Sequence, residues 1–133
     1  MTIAMKVNPF SHHERALGLR AMRNEILSSN IANADTPNYK ARDIDFASAL
    51  RHAGAGQVSM RSTNKLHQAG ATTSMPGVDV KYRVPMQSSL DGNTVETDVE
   101  QAQFAENAVR YRASLSFLNG QIMGLRYAIR GGD

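Results

Sequence analysis

The feature that most limits what this chain can fold into is an apolar series near its C-terminal end. Phe104, Ala108, Tyr111, Leu115, Leu118, Ile122, Leu125 and Ile129 recur in alternating steps of four and three. A 3.5-residue period held over about seven helical turns keeps one narrow stripe of a helix facing a helical partner, which is the pattern of a coiled-coil seam. Glu96, Asp98 and Glu100 stand in front of the series, and Arg126 and Arg130 stand at its end, signs that match the helix macrodipole. Thr97 with Glu100, or Asp98 with Gln101, has capping-box spacing, and Gly131-Gly132 removes the helix preference beyond it. The predicted helix is roughly 50 Å long at 1.5 Å per residue.

No charge lies between Arg112 and Arg126, so the helix is expected to be contacted on several sides. A membrane span needs about 18 or more apolar residues. This run is shorter and contains Ser114, Asn119 and Gln121, so no membrane span is predicted. Gly120 and Gly124 lie four apart on one face, where a second backbone could approach closely. Each also lowers the stability of an isolated helix by roughly 1 kcal/mol relative to Ala. Such a helix depends on its partners.

Composition narrows the function classes. The 133 residues suit one domain, but few aromatics and no Trp argue against a large single core. The net charge of +3 comes from 15 basic and 12 acidic residues scattered along the chain, without the basic stripe that nucleic-acid binding requires, so no nucleic-acid partner is predicted. The absence of cysteine excludes disulfides, thiolate zinc sites and a thiol nucleophile. The first ten residues have no apolar core long enough for a cleaved secretory signal.

Ser11 and Glu14 have capping-box spacing just after Pro9. Ala16, Leu19, Met22, Ile26 and Leu27 then follow at helical spacing to about Asn30, which predicts a second amphipathic helix. Leu19, Met22 and Ile26 offer the nearest partner face for the C-terminal seam. Asn30, Asn33, Asp35, Thr36, Pro37, Asn38 and Tyr39 follow in a run whose side chains bond local backbone. Pro37 presets φ, Thr36 before it is pushed out of the α region, and Asn38 tolerates a left-handed conformation, so the helix should end near Ala34 and the chain should turn. Tyr39 and Phe46 are expected to anchor the outgoing chain.

Residues 51–76 read as loop-rich, with only a short alternation at Val58 and Met60. Val78, Val80, Tyr82 and Val84 alternate with Asp79, Lys81 and Arg83 until Pro85, which predicts a half-buried strand. Asp91-Gly92-Asn93 supplies a tight turn into the last helix.

Nothing in the sequence predicts catalysis, a cofactor or a bound metal. His12-His13-Glu14 lacks the spacing that sets two ligands on one helical face, because adjacent helical residues diverge. Asp43 and Asp45 flank Ile44 and are expected to be solvated or paired with Arg42 rather than poised for proton transfer. No phosphate loop, nucleophile elbow or dinucleotide fingerprint occurs.

The run Asn30-Ile-Ala-Asn-Ala-Asp-Thr-Pro-Asn-Tyr39, followed by Lys-Ala-Arg-Asp-Ile-Asp-Phe46, resembles the N-terminal signature of the bacterial flagellar axial proteins, most closely their proximal rod members. Tyr82-Arg-Val-Pro85 and Ser89-Leu-Asp-Gly-Asn-Thr-Val95 match that family too, while Asn38 stands where it usually has Gly. The expected fold is mostly α: long N- and C-terminal helices form an antiparallel coiled coil around an inserted loop and short-strand region. Residues 1–34 and 97–133 would be the two halves of the core, with 35–96 inserted. The resemblance implies a structural subunit of the basal-body rod, exported without a cleaved signal. Its implied partners are other rod subunits, copies of itself, and export-gate and membrane-ring components at the base. The competing expectation is a soluble helical adaptor docking one partner through the same seam. The two differ in that helical assembly needs two different complementary surfaces and an adaptor needs one.

Overall fold

Two helices of unequal length run antiparallel, and a short helix and one strand of a two-stranded sheet pack along the shorter one. The computed structural model describes residues 9–54 and 78–131. In chain order these form α1 (Ser11–Ala32), β1 (Arg42–Ile44), α2 (Phe46–Gly54), β2 (Val80–Tyr82) and α3 (Thr97–Arg130). The protein is mostly helical, with its long first and last helices packed together, as the periodicity requires. Side-chain bonds mark the antiparallel run: Asn30 to Glu100, Asn24 to Asn107 and Arg20 to Ser114. The expected alternation at Val58 and Met60, and most of the stretch 51–76, lie outside the described residues.

The helix starts differ from the capping boxes expected. The residue capping α1 is Phe10, whose carbonyl accepts the Glu14 N–H at 2.9 Å, and Ser11 already lies inside the helix. The residue capping α3 is Glu96, whose carboxylate instead accepts the Met86 N–H at 3.2 Å. Glu100, the other half of the expected box, is drawn inward to an arginine and cannot fold back on the helix start. The end of α3 follows the sequence: Gly131 adopts φ 79°, a left-handed cap that suits a residue without Cβ.

The apolar core is small and lies beside α1, away from most of α3. Leu19, Ile44, Ala49 and Val78 are buried together, with Met22, Ile26, Phe46 and Leu50 packed around them. Burying one such side chain contributes roughly 1.5–3 kcal/mol, so these few residues fix α2 and the strand pair on α1. The helix α2 was not expected. Its start is set by Asp45, whose carboxylate accepts the Ser48 N–H at 3.1 Å and whose carbonyl accepts the Ala49 N–H at 2.9 Å. The Arg20 guanidinium lies 4.4 Å from the centre of the Phe46 ring and closes one side of this core.

The strands β1 and β2 pair antiparallel, with Arg42 opposite Tyr82, Asp43 opposite Lys81 and Ile44 opposite Val80. The strand expected from the valine alternation is present, but its burial is not. Val78 enters the core, whereas Val80, Tyr82 and Val84 face solvent, and the half-buried residue is Arg83. Asp79 and Lys81 are exposed as well, and of these charged residues Arg83 alone turns inward, because the carboxylates of Asp43 and Glu100 receive it.

Candidate assembly surface

A buried polar cluster fixes where α3 sits. The Arg23 guanidinium grips Asp43 with two bonds, 2.9 Å to Oδ1 and 2.8 Å to Oδ2, and donates to Gln103 Oε1 at 3.0 Å. Arg83 donates to Asp43 Oδ2 at 2.7 Å, to Gln103 Oε1 at 2.8 Å and to Glu100 Oε1. Glu100 has a fully buried side chain, and that of Arg83 is only 15% exposed. Two guanidiniums therefore neutralise two carboxylates, and the planar fork of each lets it meet several acceptors at once. These groups come from α1, β1, the segment after β2 and α3, so the cluster ties the inserted strands to both long helices. Asp43 and Asp45 were expected to be solvated or paired with Arg42; Asp45 is exposed and also caps α2, whereas Asp43 holds Arg23 and Arg83. Arg42 is exposed, and its backbone bonds Asn30.

Burial by itself would push the Asp43 carboxyl up, but the hydrogen bond and charge of Arg23, the Ile44 N–H and the Arg83 bond outweigh it and hold it below the usual aspartate value. A depressed folded-state value means a contribution to stability that is present above the unfolded value and lost as pH falls through the lower, folded one. The urea midpoint is thus expected to hold from neutral pH down to about pH 4 and to fall below it, with Asp43→Asn removing part of that acid dependence. An acid limb identical in wild type and Asp43→Asn would show that the carboxylate contributes nothing to it.

The turn after α1 is a network of amides. Asn30 is fully buried. It donates to the Arg42 carbonyl at 2.7 Å and to Glu100 Oε2 at 3.1 Å, and its own oxygen accepts the Arg42 N–H at 3.1 Å. Asn33 donates to the Ser29 carbonyl at 2.8 Å and accepts the Thr36 hydroxyl at 3.2 Å. Asn38 takes φ 61°, the left-handed conformation its side chain tolerates. Asp35, Thr36 and Pro37 are exposed, and Tyr39 is half-buried with its hydroxyl 3.3 Å from Ser29 Oγ. Asn93, expected only as part of the tight turn before α3, donates to the carbonyls of Asn33, Ala34 and Thr36 at 2.7 to 3.0 Å. The segment before α3 thereby clasps the turn after α1.

The predicted seam divides along α3. Phe104, Ala108, Tyr111 and Leu118 are half-buried, whereas Leu115, Ile122, Leu125 and Ile129 are exposed at 41%, 39%, 48% and 77%. Leu19, Met22 and Ile26, expected to face the seam, pack with Ile44, Ala49, Val78, Phe46 and Leu50 instead. The stripe of α1 that bonds α3 is its polar neighbour, with Arg20, Arg23, Asn24 and Asn30. The reason is length as well as chemistry. With 34 residues against 22, α3 outruns α1 by 12, about 18 Å at 1.5 Å per residue, and every residue from 119 to 131 is exposed. Phe117, Met123 and Tyr127 add to the uncovered apolar surface. A Cβ built on Gly120 or Gly124 meets nothing within 4 Å, so the small-residue face is open as well.

Arg23, Arg83 and Gln103 escaped sequence reasoning as site residues, because a charged side chain gives no periodic signal of the partner that will bury it. No helix among the described residues is long and apolar enough to cross a membrane. The described residues place the protein in the class of helical hairpins whose longer arm ends in exposed apolar surface.

Comparison with known proteins makes the class specific. A family described as flagella basal body rod protein matches residues 10–40, which span α1 and the turn after it. Over 126 residues the chain is 48% identical to the flagellar basal body rod protein FlgB of Salmonella typhimurium, covering 90% of this chain and 91% of that one. It is 52% identical over 119 residues to FlgB of Cereibacter sphaeroides, with the same coverage, and 40% identical over 131 residues to FlgB of Proteus mirabilis, covering 94% and 96%. The chain belongs to the FlgB family of flagellar basal body rod proteins.

Proposed function

We propose that the chain, a structural subunit of the flagellar basal-body rod, enters the rod by burying the outlying end of α3 against neighbouring rod subunits and copies of itself. The observation that carries this reading is the exposure of Leu115, Ile122, Leu125 and Ile129 toward the end of α3 that outruns α1. Contiguous apolar surface of this kind is unfavourable in water and is covered by association. The polar cluster and the Asn93 clasp serve the same end by holding α3 rigid at its base, so that load on the free arm passes into the strands and α1. In this reading the subunit forms part of a torque-transmitting shaft across the periplasm, built from residues 1–34 and 97–133 as its helical core with 35–96 inserted. It is exported without a cleaved signal and meets export-gate and membrane-ring components at the base of the rod.

Leu125→Asp separates assembly from folding. Leu125 is half exposed in the single chain, so the substitution should leave circular dichroism and export close to wild type. In a packed seam the same carboxylate would be buried without a partner, at a cost of several kcal/mol, and incorporation into the rod should be lost. Leu118→Asp should do the same with some added loss of monomer stability, since Leu118 is half-buried. Swimming cells with normal basal bodies in the Leu125→Asp strain would mean that this end of α3 is not an assembly surface.

A further inference from the structure

The two strands are closed off unequally. On β1 the outer edge belongs to Asn30, whose amide donates to the Arg42 carbonyl at 2.7 Å and accepts the Arg42 N–H at 3.1 Å, as a neighbouring strand would. Since Arg42 turns both backbone groups to that side, its pairing with Tyr82 is of the kind without hydrogen bonds between the two residues. Tyr82 therefore points its own N–H and carbonyl away from β1, and Val80, opposite Ile44, does the same. The Arg83 N–H, bonded to the Ala41 carbonyl at 2.9 Å, keeps the alternation. The N–H and carbonyl groups of Val80 and Tyr82 thus line the outer edge of β2, and no strand among the described residues meets them.

Edges of this kind are ordinarily blunted by a charge, a proline or a covering loop. Here Lys81 lies 3.8 Å from Asp45, which draws its ammonium toward the start of α2, and Pro85 lies past the strand and removes no donor from it. The surface beside the edge is apolar and bare, with Tyr82, Val84, Met86 and Leu90 largely exposed. Charge does not select what covers it. On the strand pair and its flanking residues the exposed charges are Arg42, Lys81, Asp45 and Asp79, two of each sign, and Lys40 just beyond faces Asp91.

We infer that the outer edge of β2 takes up an extended segment of a neighbouring rod protein as a third strand. A strand is the element whose N–H and carbonyl groups repeat at this spacing, so backbone bonds supply affinity, and alternate apolar side chains against Tyr82 and Val84 supply selectivity. The occupant is not β2 of a second copy, because two identical edges paired antiparallel close on a two-fold axis and leave nothing to continue a shaft. Through Arg83, Glu100 and Gln103 the edge is fixed to the first turns of α3, away from its free end, so this contact and that of the α3 arm fail independently.

Tyr82→Pro removes one outward N–H and none of the bonds to β1, a change that edge strands tolerate. Tyr82→Thr removes the ring and keeps the N–H. Both purified chains are expected to keep the wild-type urea midpoint. The amount of chain in isolated basal bodies should fall about tenfold for the proline variant and less for the threonine variant. Hydrogen exchange of the unmodified protein, read by mass spectrometry, is a second measurement that no folding defect can blur. The Val80 and Tyr82 amides should exchange freely in the purified chain and at least about tenfold more slowly in isolated basal bodies. Equal exchange in the two states, wild-type incorporation of Tyr82→Pro, or a threonine variant as defective as the proline one would each overturn the docking edge. Protection that grows with the concentration of the purified chain would make a second copy the occupant and overturn the assignment to a neighbouring protein.

Discussion

Arg83→Ala is expected to lower the stability of the folded chain by about 3–5 kcal/mol, the range for removing one partner of a buried ion pair. The side chain is 15% exposed and its partner Glu100 fully buried, so the abandoned carboxylate has little access to water. Asp43 would keep Arg23, and Gln103 Oε1 would keep its bond from Arg23, but Glu100 would retain only the Asn30 amide. Arg83→Lys should recover part of the loss and no more. An ammonium supplies charge, but it lacks the fork that reaches Glu100, Asp43 and Gln103 together. Urea denaturation followed by circular dichroism would rank wild type, Lys and Ala in that order. A shift below about 1 kcal/mol for Arg83→Ala would reduce the cluster to the standing of a surface ion pair.

Arg83 also shows why part of the fold escaped the sequence. Helices α1 and α3 were legible because their period extends over many turns, and the turn at Asn38 was legible because few residues tolerate φ 61°. The strand before Pro85 was legible in place but not in burial: β2 is exposed on both faces, and beyond it Arg83 turns inward. A run of valines alternating with charges reads as apolar side inward, yet Arg83 is the residue buried, since its cost is offset only by Asp43 and Glu100, which lie 40 and 17 positions away. The helix α2 left a short signal, Asp45 ahead of Phe46, Ala49 and Leu50, that the adjoining Gly-rich stretch obscured.

The seam shows the same limit from the other side. Its period is real in the sequence, and the first half lies half-buried as a helical partner would leave it. What periodicity cannot report is the length of the partner. Only the comparison of α1 with α3 reveals that Leu125 and Ile129 lie toward an end that the shorter helix does not cover. Likewise, the choice of Arg20, Asn24 and Asn30 for the α3 side of α1 follows from their amide and guanidinium partners, which no hydropathy pattern encodes.

Asn30→Ala is expected to cost about 3–4 kcal/mol, more than any other single change in the turn. Its fully buried amide answers the Arg42 N–H and carbonyl, as well as Glu100 Oε2, and an alanine there leaves all of these without that partner, each at a cost of roughly 1–3 kcal/mol where water cannot replace it. Asn33→Ala removes local bonds near the surface and should cost only about 1 kcal/mol. Asn38→Gly should be close to neutral, since Asn38 is exposed and glycine reaches φ 61° without strain. Asn30→Asp is the discriminating variant. It keeps the shape and the oxygen that Arg42 needs, but sets a second carboxylate 3.1 Å from the position of Glu100 Oε2, so it should be at least as damaging as alanine. Urea midpoints and swimming in strains carrying each variant check the order: Asn38→Gly near wild type, then Asn33→Ala, then Asn30→Ala and Asn30→Asp without motility. Full swimming and unchanged midpoints in both Asn30 strains would mean that residues 30–39 only connect two helices and do not set their relation.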